Sequence, residues 1–93
     1  MAKELDRRQL SDGGSIVIYD WMEVPDGRNL VRLDRDGNFI WRAMPPMKGQ
    51  PGDDCWTRIA RIDDETIIAY SFSTVECSIS LQTGEVTPLR LMR

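Results

Sequence analysis

The sequence predicts an all-β protein built as two antiparallel β-meanders, one after the other, packed as a small sandwich or closed barrel. Three observations carry this. Short apolar runs rich in Val, Ile, Tyr and Trp recur, among them Ser15–Tyr19, Leu30–Leu33, Thr66–Tyr70 and Val75–Ile79, and this composition favours strands. The runs are separated by turn signals such as Asp12-Gly13-Gly14, Pro25-Asp26-Gly27, Asp36-Gly37 and Thr83-Gly84, where glycine supplies positive φ and proline presets a negative one. The strand–turn–strand order also occurs twice, with Gly37 and Gly84 forty-seven residues apart. This defines pseudo-repeats over 13–44 and 55–92, joined by a Pro/Gly-rich loop over 45–54.

The elements follow in order. Residues 1–12 are polar, with Leu5 and Leu10 as their sizeable apolar side chains after Met1; the segment reads as a short helix or an irregular edge strand. Ile16 to Val24 is apolar on both alternation sets, as expected of a strand covered on both faces. Val31 and Leu33 alternate with Arg32 and Asp34, which predicts one buried and one wet face. Asp36-Gly37 suits a type I′ turn, and Phe39, Trp41 and Ala43 should then share an apolar face. The prolines and glycines between Met44 and Asp54 exclude regular structure. Four further strands are predicted at 55–62, 66–73, 75–81 and 85–91. The third of these alternates Val75, Cys77, Ile79 and Leu81 inward against Glu76, Ser78 and Ser80. Pro88 cannot donate to a ladder, so the last strand belongs at an edge.

With 93 residues, of which 41% are hydrophobic, the chain reads as one domain, 1–93, able to build a core without metals or disulfides. Its formal charge of −3 argues against a nucleic-acid or anionic-membrane partner, which would require a basic face. Arg28, Arg32, Arg35 and Arg42 cluster in sequence, but Asp26, Asp34 and Asp36 are interleaved with them. The charged N-terminus lacks an apolar signal region, and no apolar run reaches the length of a membrane span, about eighteen residues. A cytoplasmic location is therefore expected, and Cys55 and Cys77 fit it as free buried thiols.

The segment Leu33-Asp34-Arg35-Asp36-Gly37-Asn38-Phe39-Ile40-Trp41 resembles the quinoprotein-type β-propeller repeat, with its Leu-Asp, its glycine and the Trp four positions later. It departs from that repeat by one missing residue before the glycine and by Asp36 where threonine is preferred. Ile79–Val86 keeps the Thr83-Gly84 pair but carries Ser80 for the aspartate and Pro88 for the tryptophan. The resemblance covers about a third of the chain and implies blade-like meanders. Propellers close with four to eight blades, so two imply either face-to-face packing or completion by further copies in a larger assembly. The cofactor-binding residues of quinoproteins lie across a whole propeller and none transfers here; no cofactor is expected.

Histidine is absent, which removes the commonest general base, nucleophile partner and zinc ligand. Two cysteines cannot complete a structural zinc site. Asp34-Arg35-Asp36-Gly37-Asn38 fails as a calcium loop, because its sixth position is Phe39 and its twelfth is Pro45. Asp53-Asp54 and Asp63-Asp64-Glu65 read as solvated turns. Asp20, between Tyr19 and Trp21, is the candidate for a carboxyl in an apolar setting.

These readings lean away from an enzyme and predict no catalytic or metal residues. They favour a module that binds another protein or its own copy, an inhibitor-like partner protein being one form, with a homo-oligomer expected. The candidate surface is Trp21, Trp41, Arg42, Met44, Pro45, Pro46 and Met47: aromatics able to form a platform, a cation beside them, and an apolar semi-rigid loop. The alternative is a small-molecule-binding barrel or minor enzyme using a cleft near Asp20, Trp21 and Arg42.

Overall fold

The computed structural model describes residues 3–24, 26–46 and 54–91. It is all-β and contains two separate four-stranded antiparallel sheets. Sheet 1 comprises β1 (Glu4–Gln9), β2 (Ser15–Tyr19), β3 (Leu30–Leu33) and β4 (Phe39–Ala43). Sheet 2 comprises β5 (Trp56–Ile62), β6 (Thr66–Ser71), β7 (Val75–Ser80) and β8 (Val86–Leu91). Each is a simple meander in chain order, and the two pack as a sandwich. Between them lies a core containing Ile16, Ile18, Leu30, Trp56, Ile59, Ile67, Cys77 and Ile79. Of the two options for residues 1–12, the edge strand is the one that forms: β1 pairs antiparallel with β2.

The second meander follows the predicted pattern closely. Val75, Cys77 and Ile79 point into the core and Leu81 packs against it, because the period of two puts alternate side chains on one face. β8 lies at the sheet edge, with Pro88 opposite Cys77 beside a bulge. Both cysteines are free and buried.

The first meander departs from expectation in four places. The run from Ile16 to Val24 is not one strand. β2 stops at Tyr19 because the Asp20 carboxylate accepts the Met22 backbone N–H at 3.0 Å, capping a 3-10 turn over Trp21–Glu23. A short polar side chain of this kind competes with ladder pairing. Val31 and Leu33 are buried as expected, but in a second cluster with Val17 on the face opposite the inter-sheet core, which Leu30 enters. Arg32 is on the inner side, where its guanidinium donates to the Leu81 carbonyl at 2.6 Å and to Asp12 at 2.9 Å.

The face shared by Phe39, Trp41 and Ala43 is also broken. Arg32 pairs with Trp41 and Leu33 with Phe39, so Ile40 is the extra residue of a bulge. A bulge shifts the alternation by one. Trp41 and Ala43 stay inward, and Phe39 turns to the outer face. Finally, Asp36-Gly37 is not type I′. Only Gly37 has positive φ, at 87°. Gly37 donates to the Asp34 carbonyl at 3.0 Å, and the Asp34 carboxylate accepts the backbone N–H groups of Asp36 and Asn38, both at 2.9 Å.

Two aromatics expected on strands lie elsewhere: Trp21 is on the 3-10 turn, and Phe72 is in the β6–β7 turn. Asp54, expected in a solvated turn, is 3% exposed. Its carboxylate accepts the N–H groups of Cys55 and Ser73 and the Ser73 hydroxyl. That clamp sits beside Thr74, whose φ of 67° is unusual for a β-branched residue.

Candidate functional site

The sheets are joined by polar contacts that the sequence does not advertise. Asn29 is fully buried. Its amide nitrogen donates to the carbonyls of Tyr19 and Trp56, both at 2.8 Å, and its amide oxygen accepts the Trp56 backbone N–H at 2.7 Å. It thus ties the end of β2 to the start of β5. The Trp56 indole donates to the Ala43 carbonyl at 3.1 Å, and the Trp41 indole to the Leu81 carbonyl at 2.9 Å. Trp41 also lies against Gly84, where a Cβ would come within 2.7 Å of the indole.

The proposed surface residues therefore have different fates. Trp41 is half-buried and belongs to the seam between the sheets. Trp21 is 44% exposed on the 3-10 turn. Arg42 is exposed and pairs with Asp26 at 2.9 Å. Met44 is exposed and Pro45 is buried. A Cβ at Gly27 would come within 3.2 Å of the Pro45 ring. Pro46 is half-buried and lines a groove of about 510 Å³ with Met44, Arg42 and Pro88. Met47 lies outside the described residues. Asp20 serves as a cap.

A further, largely apolar concavity near these residues is on the outer face of sheet 1. It is a groove of about 690 Å³ lined by Tyr19, Val24, Val31 and Phe39, with the charged residues Glu4, Arg7, Glu23, Asp26, Arg28 and Arg42 around it. Val31 is only 2% exposed and forms part of the floor, whereas Phe39 is 63% exposed. Most of the charges are already engaged. Arg7 donates to both Glu4 oxygens, at 2.8 and 2.7 Å, and Arg42 to both Asp26 oxygens, at 2.9 and 3.1 Å. Glu23 accepts the Lys3 backbone N–H. The hydrogen bond from Arg7 holds the Glu4 carboxyl below its ordinary pKa.

On the outer face of sheet 2 the central row is satisfied by its own side chains instead. Arg58 stacks over the Tyr70 ring at 4.6 Å, the Tyr70 hydroxyl reaches Glu76 at 3.4 Å, and Arg90 donates to Glu76 at 2.7 Å. Phe39 and its groove were missed in sequence because the Ile40 bulge leaves only an ordinary-looking alternation. The signal that could have exposed it was Ile40 itself, a third large apolar residue in a strand otherwise read as two-faced.

Reactive groups are few. Burial pushes the Cys77 thiol up to about 11, helped by the charges of Asp54 and Glu76, and burial likewise raises Cys55. These thiols are poor nucleophiles. Among the described residues, no group of three Cys, Asp or Glu side chains is placed to hold a metal ion, and no helix is long and apolar enough to cross a membrane. No curated protein and no solved structure matches the chain significantly. A family model described as a domain of unknown function (DUF7957) matches residues 11–91, and the chain belongs to that family.

Proposed function

We propose that the protein is a protein-interaction module whose contact surface is the outer face of sheet 1 together with its edge strand β4. The observation that carries this reading is the exposed Phe39 beside an apolar groove whose bordering charges are mostly paired with one another. Ile40 and Met44, 47% and 45% exposed, continue the apolar character along β4. An exposed apolar group bordered by polar residues is the usual mark of a protein contact. Paired charges at a rim favour specificity over non-specific attraction.

A small-molecule reading is supported only by the groove itself, which is of ligand size and is lined by Arg42. Asp20 and Trp21 are not among its lining residues, and Asp20 is engaged as a cap.

The test is a photo-crosslinking scan in cells. A crosslinking amino acid is placed singly at Phe39, Ile40 and Met44, and at Arg58 and Arg61 on sheet 2 as controls. Protein adducts from the first three and none from the controls are expected. Adducts spread evenly over both sheets, or confined to sheet 2, would overturn the assignment.

A further inference from the structure

The outer face of sheet 1 holds a knob, a hole and two unspent charges. The knob is Phe39, opposite Leu33 at the turn end of β3. The hole is the groove over Tyr19, Val24 and Val31. Arg28 lines its far end and is half-buried. Among the described residues the Arg28 guanidinium makes no hydrogen bond or ion pair, and neither does the Asp36 carboxylate in the turn preceding Phe39. That turn is open at Gly37, where a Cβ would meet nothing within 4 Å. Five residues of extended chain separate Arg28 from Leu33, about 16 Å. The face therefore has an unpaired cation at one end, an apolar knob with an unpaired anion at the other, and an apolar hole between them.

A two-fold axis over the middle of β3 exchanges these ends. It sets the Phe39 of one copy over the Val24 end of its mate's groove and brings Asp36 toward the mate's Arg28. The same step occurs in reverse, so every contact is made twice, as an isologous interface requires. We propose that the occupant of this groove is a second copy of this chain, docked face to face through sheet 1. This deepens the interaction reading and rests on it. Charge supports a self-partner: Arg7, Arg28 and Arg42 balance Glu4, Glu23 and Asp26 around the groove, so two copies meet there without local net repulsion.

Sedimentation equilibrium on the whole chain, from micromolar to millimolar concentration, is the test. Wild type forms a dimer. Phe39→Asp raises the dissociation constant by roughly thirtyfold or more, as expected of a central aromatic anchor. Arg28→Asp and Asp36→Arg each weaken the dimer by about tenfold, and the two together in one chain restore it, since the pair is then reversed in sign. Phe39 is exposed, so the variant should keep the wild-type circular dichroism spectrum; if it does not, the charge reversal carries the test alone. A monomer at every concentration overturns the second copy, as does a dimer that ignores all three substitutions or a double variant no better than the singles. The crosslinking scan separates the two readings: adducts at Phe39 in a strictly monomeric protein refute the second copy and leave the interaction module standing.

Discussion

Sheets 1 and 2 share one strand order, and each is crossed on its outer face by a row of four paired residues. In sheet 1 the row is Arg7, Val17, Val31, Arg42; in sheet 2 it is Arg58, Tyr70, Glu76, Arg90. Both rows begin and end in arginine. In sheet 2 the middle pair binds the two arginines through a stacking contact and a 2.7 Å hydrogen bond, and the row is satisfied. In sheet 1 the middle pair is apolar, and the arginines turn to acids outside the row, Glu4 and Asp26. The same strand order thus yields one row satisfied by its own members and one left with an apolar centre. Two central residues decide which row has an apolar centre.

Exchanging the character of those central residues is the strongest way to break the comparison. Val17 is fully buried, so Val17→Asp would place a carboxylate among Val31, Leu33 and Tyr19, where the one cation opposite, Arg7, is already bound to Glu4. A loss of about 4 kcal/mol or more is expected, measured by urea denaturation. If the variant stays nearly as stable as wild type, the outer cluster of sheet 1 is not a structural floor.

The two turn glycines supply a second contrast. Gly84 has φ 78° and backs onto Trp41, whereas Gly37 has φ 87° and faces open space. Gly84→Ala should cost about 3 kcal/mol, from left-handed strain plus displacement of the indole. Gly37→Ala should cost about 1 kcal/mol, from strain alone. Equal losses in thermal unfolding would mean that the Trp41 seam contributes little.

How much of this could be read from the chain divides along the same line. Sheet 2 was legible chiefly through β7, which alternates without interruption against β6: Val75, Cys77, Ile79 and Leu81 announce their face. In sheet 1, β3 and β4 formed where expected, but β2 stopped short, Arg32 turned inward and Phe39 left the face of Trp41 and Ala43. The Ile40 bulge reversed Phe39, and the Asp20 cap ended β2 before Trp21; both are choices between local and ladder hydrogen bonds that composition does not decide. Arg32 read as a wet residue because its destination, the Leu81 carbonyl, is forty-nine positions away. Asn29 left no periodic signal, since its three bonds depend on where β5 lies. Of the candidate surface, Trp21, Arg42 and Met44 are exposed. Trp41 went to the seam because Gly84 leaves room for it.

A smaller effect is expected in the satisfied row of sheet 2. Glu76→Val would give sheet 2 an apolar residue in its middle pair, releasing Arg90 and the Tyr70 hydroxyl. Arg90 is 66% exposed at its side chain, so screening keeps the loss to about 1 kcal/mol. The variant should also make sheet 2 more adhesive. A photo-crosslinker at Arg58, silent in the wild type, should then form adducts; continued silence would mean that an apolar centre does not by itself create a contact face.

Acid should distinguish the sheets more gently. Three carboxyls of the first meander are held below their ordinary values: Glu4 by the hydrogen bond from Arg7, Asp12 by the Gly14 backbone N–H and Arg32, and Asp34 by the backbone N–H of Asn38 and then Asp36. Their folded pKa values lie under the unfolded ones, which are about 4. Each therefore contributes stability that is complete above that pH and is lost as the pH falls through the folded value. The groups sit on β1, in the β1–β2 turn and in the β3–β4 turn, all in sheet 1. Amide exchange followed downward from about pH 5 should show protection failing first at Gly14, Asp36 and Asn38, whose N–H groups these carboxylates accept. Asp34→Asn should remove much of the pH dependence at the last two, because the amide oxygen still accepts but no longer titrates. Earlier failure in β6 or β7 would place the acid-sensitive contacts in sheet 2 and reverse the order of the two sheets.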